Sequence, residues 1–349
     1  MHDIKRLYIS DIHMSPGPAV TTTAGQHPYG WLSPAAAIRL GGFLRSATVA
    51  ETQQLFLVGD FLDYWVCPHD VRPSTTLDII NAPHNKPVVD GLRAFAAMPG
   101  KNLFYLAGNH DDAMNAAQAR QLAPQAVFMP SYNNEFPLRV GHGHENCLFN
   151  APDPAGRAFP LGYFITRFVA TAARNGNYQV GANWRTILGS ASEVVALLED
   201  KPLAECVFDA VREAAHVKLD DLVIMPDGGS RKVSEIRETY KNLLAEWVEH
   251  RHGSWQSALL RECDPFYDLE VGTPHLFIAG HSHDHLCAQH ASYGAYLNLG
   301  AWCGARAHFA RTWLANAGQA NELLCGELFE WDPDTGVHSA STVVRIPTR

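Results

Sequence analysis

Five apolar runs of strand length recur along this chain, and each stops at a polar cluster. "RLYIS" precedes Asp11, "QLFLVG" precedes Asp60, "NLFYLAG" precedes Asn109, "EFPLRVG" precedes His142 and "HLFIAG" precedes His281. Continuous apolar runs of this length suit strands buried on both faces of an α/β sheet, where alternation is lost. Between the early runs lie helix-like segments. In 34–47, Ala37, Ile38, Phe43 and Leu44 share much of one face, and 88–98 reads the same way. A further apolar run spans 295–300, and "LLCGELFEW" and "VHSASTVVRI" flank "DPDTG" as a predicted hairpin.

The middle of the chain changes character. Phe164, Ile165, Phe168, Val169 and Ala172 form a helical stripe, as do Val207, Ala210, Val211 and Ala214. Ile236, Tyr240, Leu243, Leu244 and Trp247 form another. "SASE" at 190–193 matches a helix capping box, and "MPDGGSRK" at 225–232 reads as a turn between helices. The expected organisation is a sheet domain from 1–154 and 264–349 interrupted by a helical cap insertion, 155–263. The apolar stripes of that insertion favour a helix–helix core over an exposed acyl-chain groove.

Composition narrows the function. The formal charge of −9 and the lack of a dense Lys/Arg run argue against nucleic acid as a partner. No apolar stretch approaches the length of a membrane span, and the N-terminus has no signal-peptide core, so a cytoplasmic location is expected. Seven scattered cysteines without a C-x-x-C point to reduced thiols and away from a cysteine zinc knuckle.

The polar clusters carry the chemistry. They are Asp11-Ile12-His13, Asp60-Phe61-Leu62-Asp63, Asn109-His110-Asp111, His142-Gly143-His144 and His281-Ser282-His283. Ligands of open α/β sheets gather at the carboxyl ends of strands, so five such ends can converge. Asp, His and Asn donors without thiolate suit Zn, Fe, Mn, Co or Ni. Seven donors exceed one tetrahedral ion but suit two ions sharing a carboxylate, a pair able to clamp a phosphoryl group.

The ordered set "DIH", "GDFLD", "GNHD", "GHGH", "GHSH", with "YLNLGAW" after the last motif, resembles the signature of the calcineurin-like metallophosphoesterases. The resemblance covers 7–144 and 275–302. It implies a metallophosphoesterase-type αββα sandwich of two mixed sheets and two divalent metal ions, Mn, Fe or Zn. It also implies hydrolysis of a phosphodiester or pyrophosphate bond in a small molecule through a metal-bridging hydroxide. Asp11, His13 and His283 would hold one metal, Asn109, His142 and His281 the other, and Asp60 would bridge them. His110 would be the catalytic acid or phosphoryl-stabilising group, oriented by Asp63.

"GDFLDYW" and "GHGHENC" resemble the branch containing UDP-2,3-diacylglucosamine pyrophosphatase. That branch has a helical lipid-binding insertion between the same motifs, so a nucleotide-sugar lipid substrate, with peripheral membrane contact, follows from it. This chain departs in its larger insertion, in His144 where that branch usually has Asp, and in the long loop after Asp11. The alternatives are a protein or nucleic-acid phosphoesterase and a metal-poor interaction scaffold.

Other residues have quieter readings. His144 is balanced between a supporting and a direct role, and Asp111 and Asp112 read as loop-capping. His27, His69, Asp70 and His84 read as solvated loop residues rather than pocket lining. Arg157, Arg167, Arg174 and Arg185 read as solvated rather than phosphate-binding. Trp65 and Trp302 stand beside motifs, where they can pack beneath the site.

Overall fold

The computed structural model describes residues 5–17, 30–175, 203–250, 274–304 and 306–348. The capping box at 190–193, His27, Arg185 and Cys263 lie outside the described residues. Each of the five apolar runs contains a strand: β1 (Arg6–Ile9), β2 (Gln54–Val58), β3 (Asn102–Leu106), β6 (Leu138–Val140) and β9 (His275–Ala279). Strands β1, β2 and β3 pair in parallel, and β4 (Val127–Met129) follows β3. The antiparallel β12 (His308–Ala315) joins the other side of β1. It is followed outward by β13 (Leu323–Asp332) and β14 (Gly336–Ser339), while β15 (Val344–Pro347) also pairs with β13.

The second sheet runs β10–β11–β9–β6–β5, where β5 is Tyr132–Glu135, β10 His285–His290 and β11 Gly294–Leu299. Both sheets are mixed, as expected. Tyr8, Phe56 and Val58 of the first sheet meet Val140, Ile278 and Leu297 of the second in a shared core. The alternate residues Leu7, Ile9, Leu55 and Leu57 point the other way, into a layer built with α1 (Pro34–Leu44) and α2 (Lys86–Ala96). Both faces of β1 and β2 are therefore buried, which is why their sequence does not alternate.

Local signals account for several boundaries. Ser33 caps α1 by accepting from the Ala36 amide, with Pro34 at the first helical position. The run 135–141 is not one strand. Pro137 has no amide hydrogen to donate, and Phe136–Pro137 forms the turn between β5 and β6. The expected hairpin forms where β13 turns at Asp332–Gly336 into the antiparallel β14, and β13 is long enough to accept β15 along another stretch as well.

The helices between β6 and β9 share a core with Trp65, Leu148, Phe149 and Ala151. The helix Leu161–Arg174 packs Phe164 and Phe168 against Val207, Phe208 and Val211 of the helix Leu203–Ala214, and Trp65 completes the cluster. The segment 225–232 is not a turn between helices. It closes a hairpin of β7 (Leu222–Ile224) and β8 (Ser230–Lys232), turning at Gly228, whose φ is +86°. The stripe from Ile236 to Trp247 is split between two helices, Val233–Tyr240 and Leu243–His250. Among the described residues, no helix is long and apolar enough to cross a membrane.

His308, at the start of β12, stacks on His285 with ring centroids 4.0 Å apart. Burial, aided by the neighbouring His285 charge, pushes its pKa down to about 4. A histidine held neutral in the fold stabilises above its unfolded pKa, and that contribution is lost as pH falls from about 6.5 through 4. His308→Phe keeps the stacked ring without the titration. The loss of urea stability between those pH values is therefore expected to shrink by on the order of 1 kcal/mol relative to the parent.

Candidate metal centre

The polar clusters sit at the carboxyl ends of β1, β2, β3, β6 and β9, all on one edge of the two sheets. Past the ends of β1 and β2 the two chains stay paired. The His13 amide donates to the Asp60 carbonyl at 2.9 Å, and the Asp63 amide to the Met14 carbonyl at 2.8 Å. The second sheet latches on through the His281 amide, which donates to the Asp11 carboxylate at 3.0 Å. Five of the seven non-glycine residues with positive φ among the described residues are Asp11, His13, Asp60, His281 and His283. Such backbone is strained for L-residues, and its concentration here marks a site whose side-chain directions take priority over local comfort.

The ligand atoms converge in two groups, which a third, His13, Asp60 and His110, joins. His13 Nε2 and His283 Nε2 are 3.0 Å apart, and His283 Nε2 is 3.4 Å from Asp11 Oδ1. Asp60, His142 and His281 form the second group, with His142 Nε2 at 3.2 Å from Asp60 Oδ2. The same Asp60 oxygen lies 3.7 Å from His13 Nε2. Asn109 Oδ1 and His142 Nε2 are buried without a hydrogen-bond partner. Buried polar atoms are almost always paired, so an unpaired Asn109 oxygen just past β3 and an unpaired His142 nitrogen beside Asp60 suit the ligands of a cation. The set is oxygen and imidazole without thiolate, which fits two divalent ions. Asp11, His13, Asp60, Asn109, His142, His281 and His283 are all at this edge.

Their orientation is enforced from behind. His142 Nδ1 bonds the Val58 carbonyl at 2.9 Å, which leaves Nε2 to face the cluster. Asp63 does more than orient His110. Its Oδ2 lies 2.9 Å from His13 Nδ1 and its Oδ1 3.0 Å from His110 Nδ1, while the Trp65 and Val66 amides donate to Oδ1. One carboxylate thus positions both an imidazole of the first group and His110. Asp111 is the hub of the loops, accepting from the amides of Asp60, Phe61, Leu62 and Gly108 and from the Tyr105 hydroxyl. Its loop-capping reading holds, and burial next to the Asp60 charge pushes its pKa up to about 6.

The electrostatics follow from this crowding. Burial alone raises the Asp60 carboxyl, but the imidazoles of His142, His110 and His13 hold it well below the usual range. Burial opposes charging of His110, yet Asp63 and Asp60 outweigh it and raise the imidazole to about 9. His142 rises to about 10 against the same penalty, through Asp60 and Asp11. Burial dominates at His281, which falls well below normal, and at His144, which falls to about 4.

Close contacts explain the glycines that open three of the motifs. A Cβ on Gly108 would meet Asp60 Oδ1 at 2.2 Å, and one on Gly59 the His142 ring at 2.4 Å. At Gly280 it would meet Ser10 Oγ at 2.0 Å and Asp11 Oδ2 at 2.3 Å. Gly280→Ala is therefore expected to displace Asp11 and weaken divalent-cation binding about 10-fold or more, read by equilibrium dialysis.

The remaining candidates separate cleanly. His144 is buried beside His142 and His281, at ring-centroid distances of 5.5 and 6.3 Å, outside both ligand groups. Trp65 stacks on His110 at 4.6 Å. Trp302 packs on Phe43, and its amide donates to the Asp11 carbonyl. His69 is not solvated, since it is buried and bonded to Thr171, while Asp70 pairs with Arg174. His84 is half-buried, with burial depressing its pKa.

Arg167 is fully buried. It donates to the carbonyls of Cys67, Pro68, His69, Val71 and Ile224. Arg157 pairs with Asp153 and Glu246. A solvated reading therefore fails for Arg167, because the loop after Trp65 presents a ring of carbonyls that needs a donor.

The residue that motif reading missed is Trp31, stacked on His13 with centroids 5.0 Å apart. It belongs to no motif, and only a tertiary contact brings it there.

No family profile and no curated protein matches this chain. Among solved structures, a dimetal phosphatase from Danio rerio aligns over 99% of this chain and 99% of its own, at 11% identity and a TM-score of 0.37. A score that low carries no weight for chemistry, which rests on the strands and side chains themselves.

Proposed function

We propose that this protein is a dinuclear metal-dependent phosphoesterase of the calcineurin-like kind, acting on a phosphodiester or pyrophosphate bond of a small molecule. The observation that carries the reading is Asp60, whose Oδ2 is shared between the His13 and His142 sides of the cluster. Asp11, His13 and His283 would hold one cation, and Asn109, His142 and His281 the other. When bound there, such ions would supply a water of lowered pKa and offset charge on a phosphoryl group.

The chain's own contribution centres on His110. Asp63 and Asp60 keep its imidazole protonated, with a pKa near 9, and Trp65 fixes the ring plane. A protonated imidazole there donates to a phosphoryl oxygen and then passes its proton to the leaving oxygen as the P–O bond breaks. The water that attacks phosphorus supplies the new P–O bond and loses a proton to solvent. Trp65, which stacks on His110, also meets Tyr163 of the inserted region at 5.9 Å, so that region adjoins the site.

The test pairs metal analysis of the purified protein with hydrolysis of bis-p-nitrophenyl phosphate and p-nitrophenyl phosphate in added Mn²⁺. Two metals per chain with a preference for the diester supports the reading. Preference for the monoester moves it to a phosphomonoesterase. No bound metal and no Mn²⁺-dependent turnover replaces it with an interaction scaffold.

A further inference from the structure

Trp31 contacts one side of the centre only. Its indole stacks on His13 at 5.0 Å with an interplanar angle of 23°, and its edge meets His283 at 5.3 Å. It also approaches His110, at 6.4 Å. Among the described residues, no ring contact joins it to His142 or His281. His13 is therefore fixed on three sides, by the Trp31 face, by the His110 edge at 4.7 Å and by Asp63 on its Nδ1. His283 has less support, being 28% exposed at its side chain, and the Trp31 edge is one of its two ring contacts among the described residues.

A backbone contact brings Trp31 there. A Cβ on Gly30 would lie 2.0 Å from the Gly17 carbonyl oxygen, so the chain returns against itself at this point with no room for a side chain. Ser15, two residues past His13, donates its Oγ hydrogen to that carbonyl at 2.7 Å and fixes it. On the other side Leu32 is buried and Ser33 caps α1. Trp31 is held between a closed loop base and a helix start, with His13 directly under it.

We propose that Trp31 is a positioning residue for the cation held by Asp11, His13 and His283, and that it makes the two metal sites unequal. This rests on the dinuclear reading above. The ring holds His13 and His283 in ligating orientation, so losing it frees those imidazoles without touching Asn109, His142 or His281. The ring face does this work rather than the indole N–H, because that N–H is buried with no acceptor. Phenylalanine should therefore serve in its place.

The experiment titrates metal-stripped protein with Co²⁺, following visible absorption and isothermal heat, for the parent, Trp31→Ala and Trp31→Phe. The parent is expected to load two ions. In Trp31→Ala one of the two affinities is expected to fall about 10–100-fold while the other stays within about 2-fold, and Trp31→Phe restores most of the loss. Unchanged affinities in Trp31→Ala overturn the proposal, as does an equal loss at both sites, or a Trp31→Phe variant no better than alanine. A parent that binds fewer than two ions instead overturns the dinuclear reading itself, so the two failures are told apart by the parent alone.

Discussion

His110→Ala is expected to lower turnover of an activated diester about 10²–10⁴-fold while two cations remain bound, the typical worth of a positioned acid. Geometry makes this a sharp test, because His110 also lies close enough to His13 and Asp60 to form a third ligand group. Its setting differs from that of the proposed ligands: its face is covered by Trp65, and Asp63 Oδ1 lies 3.0 Å from its Nδ1. The sign for pH follows. An acid acts while protonated, so kcat falls as pH rises through the His110 pKa, and that alkaline limb should vanish in the alanine variant. Loss of a cation from His110→Ala would assign it to the ligands instead.

Arg167→Met is expected to destabilise the fold by about 3–5 kcal/mol, because a buried charge that satisfies several acceptors leaves them stranded when it goes. Five backbone carbonyls lose their donor, four of them in the segment 67–71, directly after Trp65. That segment joins the catalytic side to the inserted helices, since the His69 amide also bonds Thr171. Metal content should survive, because the ligand loops are organised separately by Asp111. Turnover should drop, because Trp65 no longer holds the His110 ring. Arg167→Lys retains a charge but reaches fewer carbonyls and should fall between. Urea denaturation together with metal analysis checks both parts. A loss below about 1 kcal/mol would mean that the segment is held by other contacts.

The convergence of the polar clusters was legible because strand geometry made it so. A strand buried on both faces must be apolar until it leaves the sheet, so Asp11, Asp60, Asn109, His142 and His281 announce the edge where they emerge. The glycines at 59, 108 and 280 belong to the same logic, although which ligand each one accommodates is visible only in space. The helical stripes of the insertion were legible for the same periodic reason, and Phe164, Phe168, Val207 and Val211 do share a core.

Other features had no local signature. β7 and β8 are too short to show a period, so their hairpin looked like a bare turn. The chain between Gln54 and Val58 carries its own apolar signal, but its neighbour across β1 is β12, supplied from the far end of the chain. Arg167 read as one more helical arginine, because the carbonyls it serves come from a loop about a hundred residues away in sequence.

By itself, then, the sequence determined which polar side chains gather at one edge of the sheets, since side-chain chemistry and strand ends are local properties. Only the tertiary structure decided which other residues support them. Asp63 serves two imidazoles, Trp31 lies over His13 and Arg167 closes the loop beside Trp65 through contacts between segments distant in the chain, and no residue pattern along one segment records such contacts.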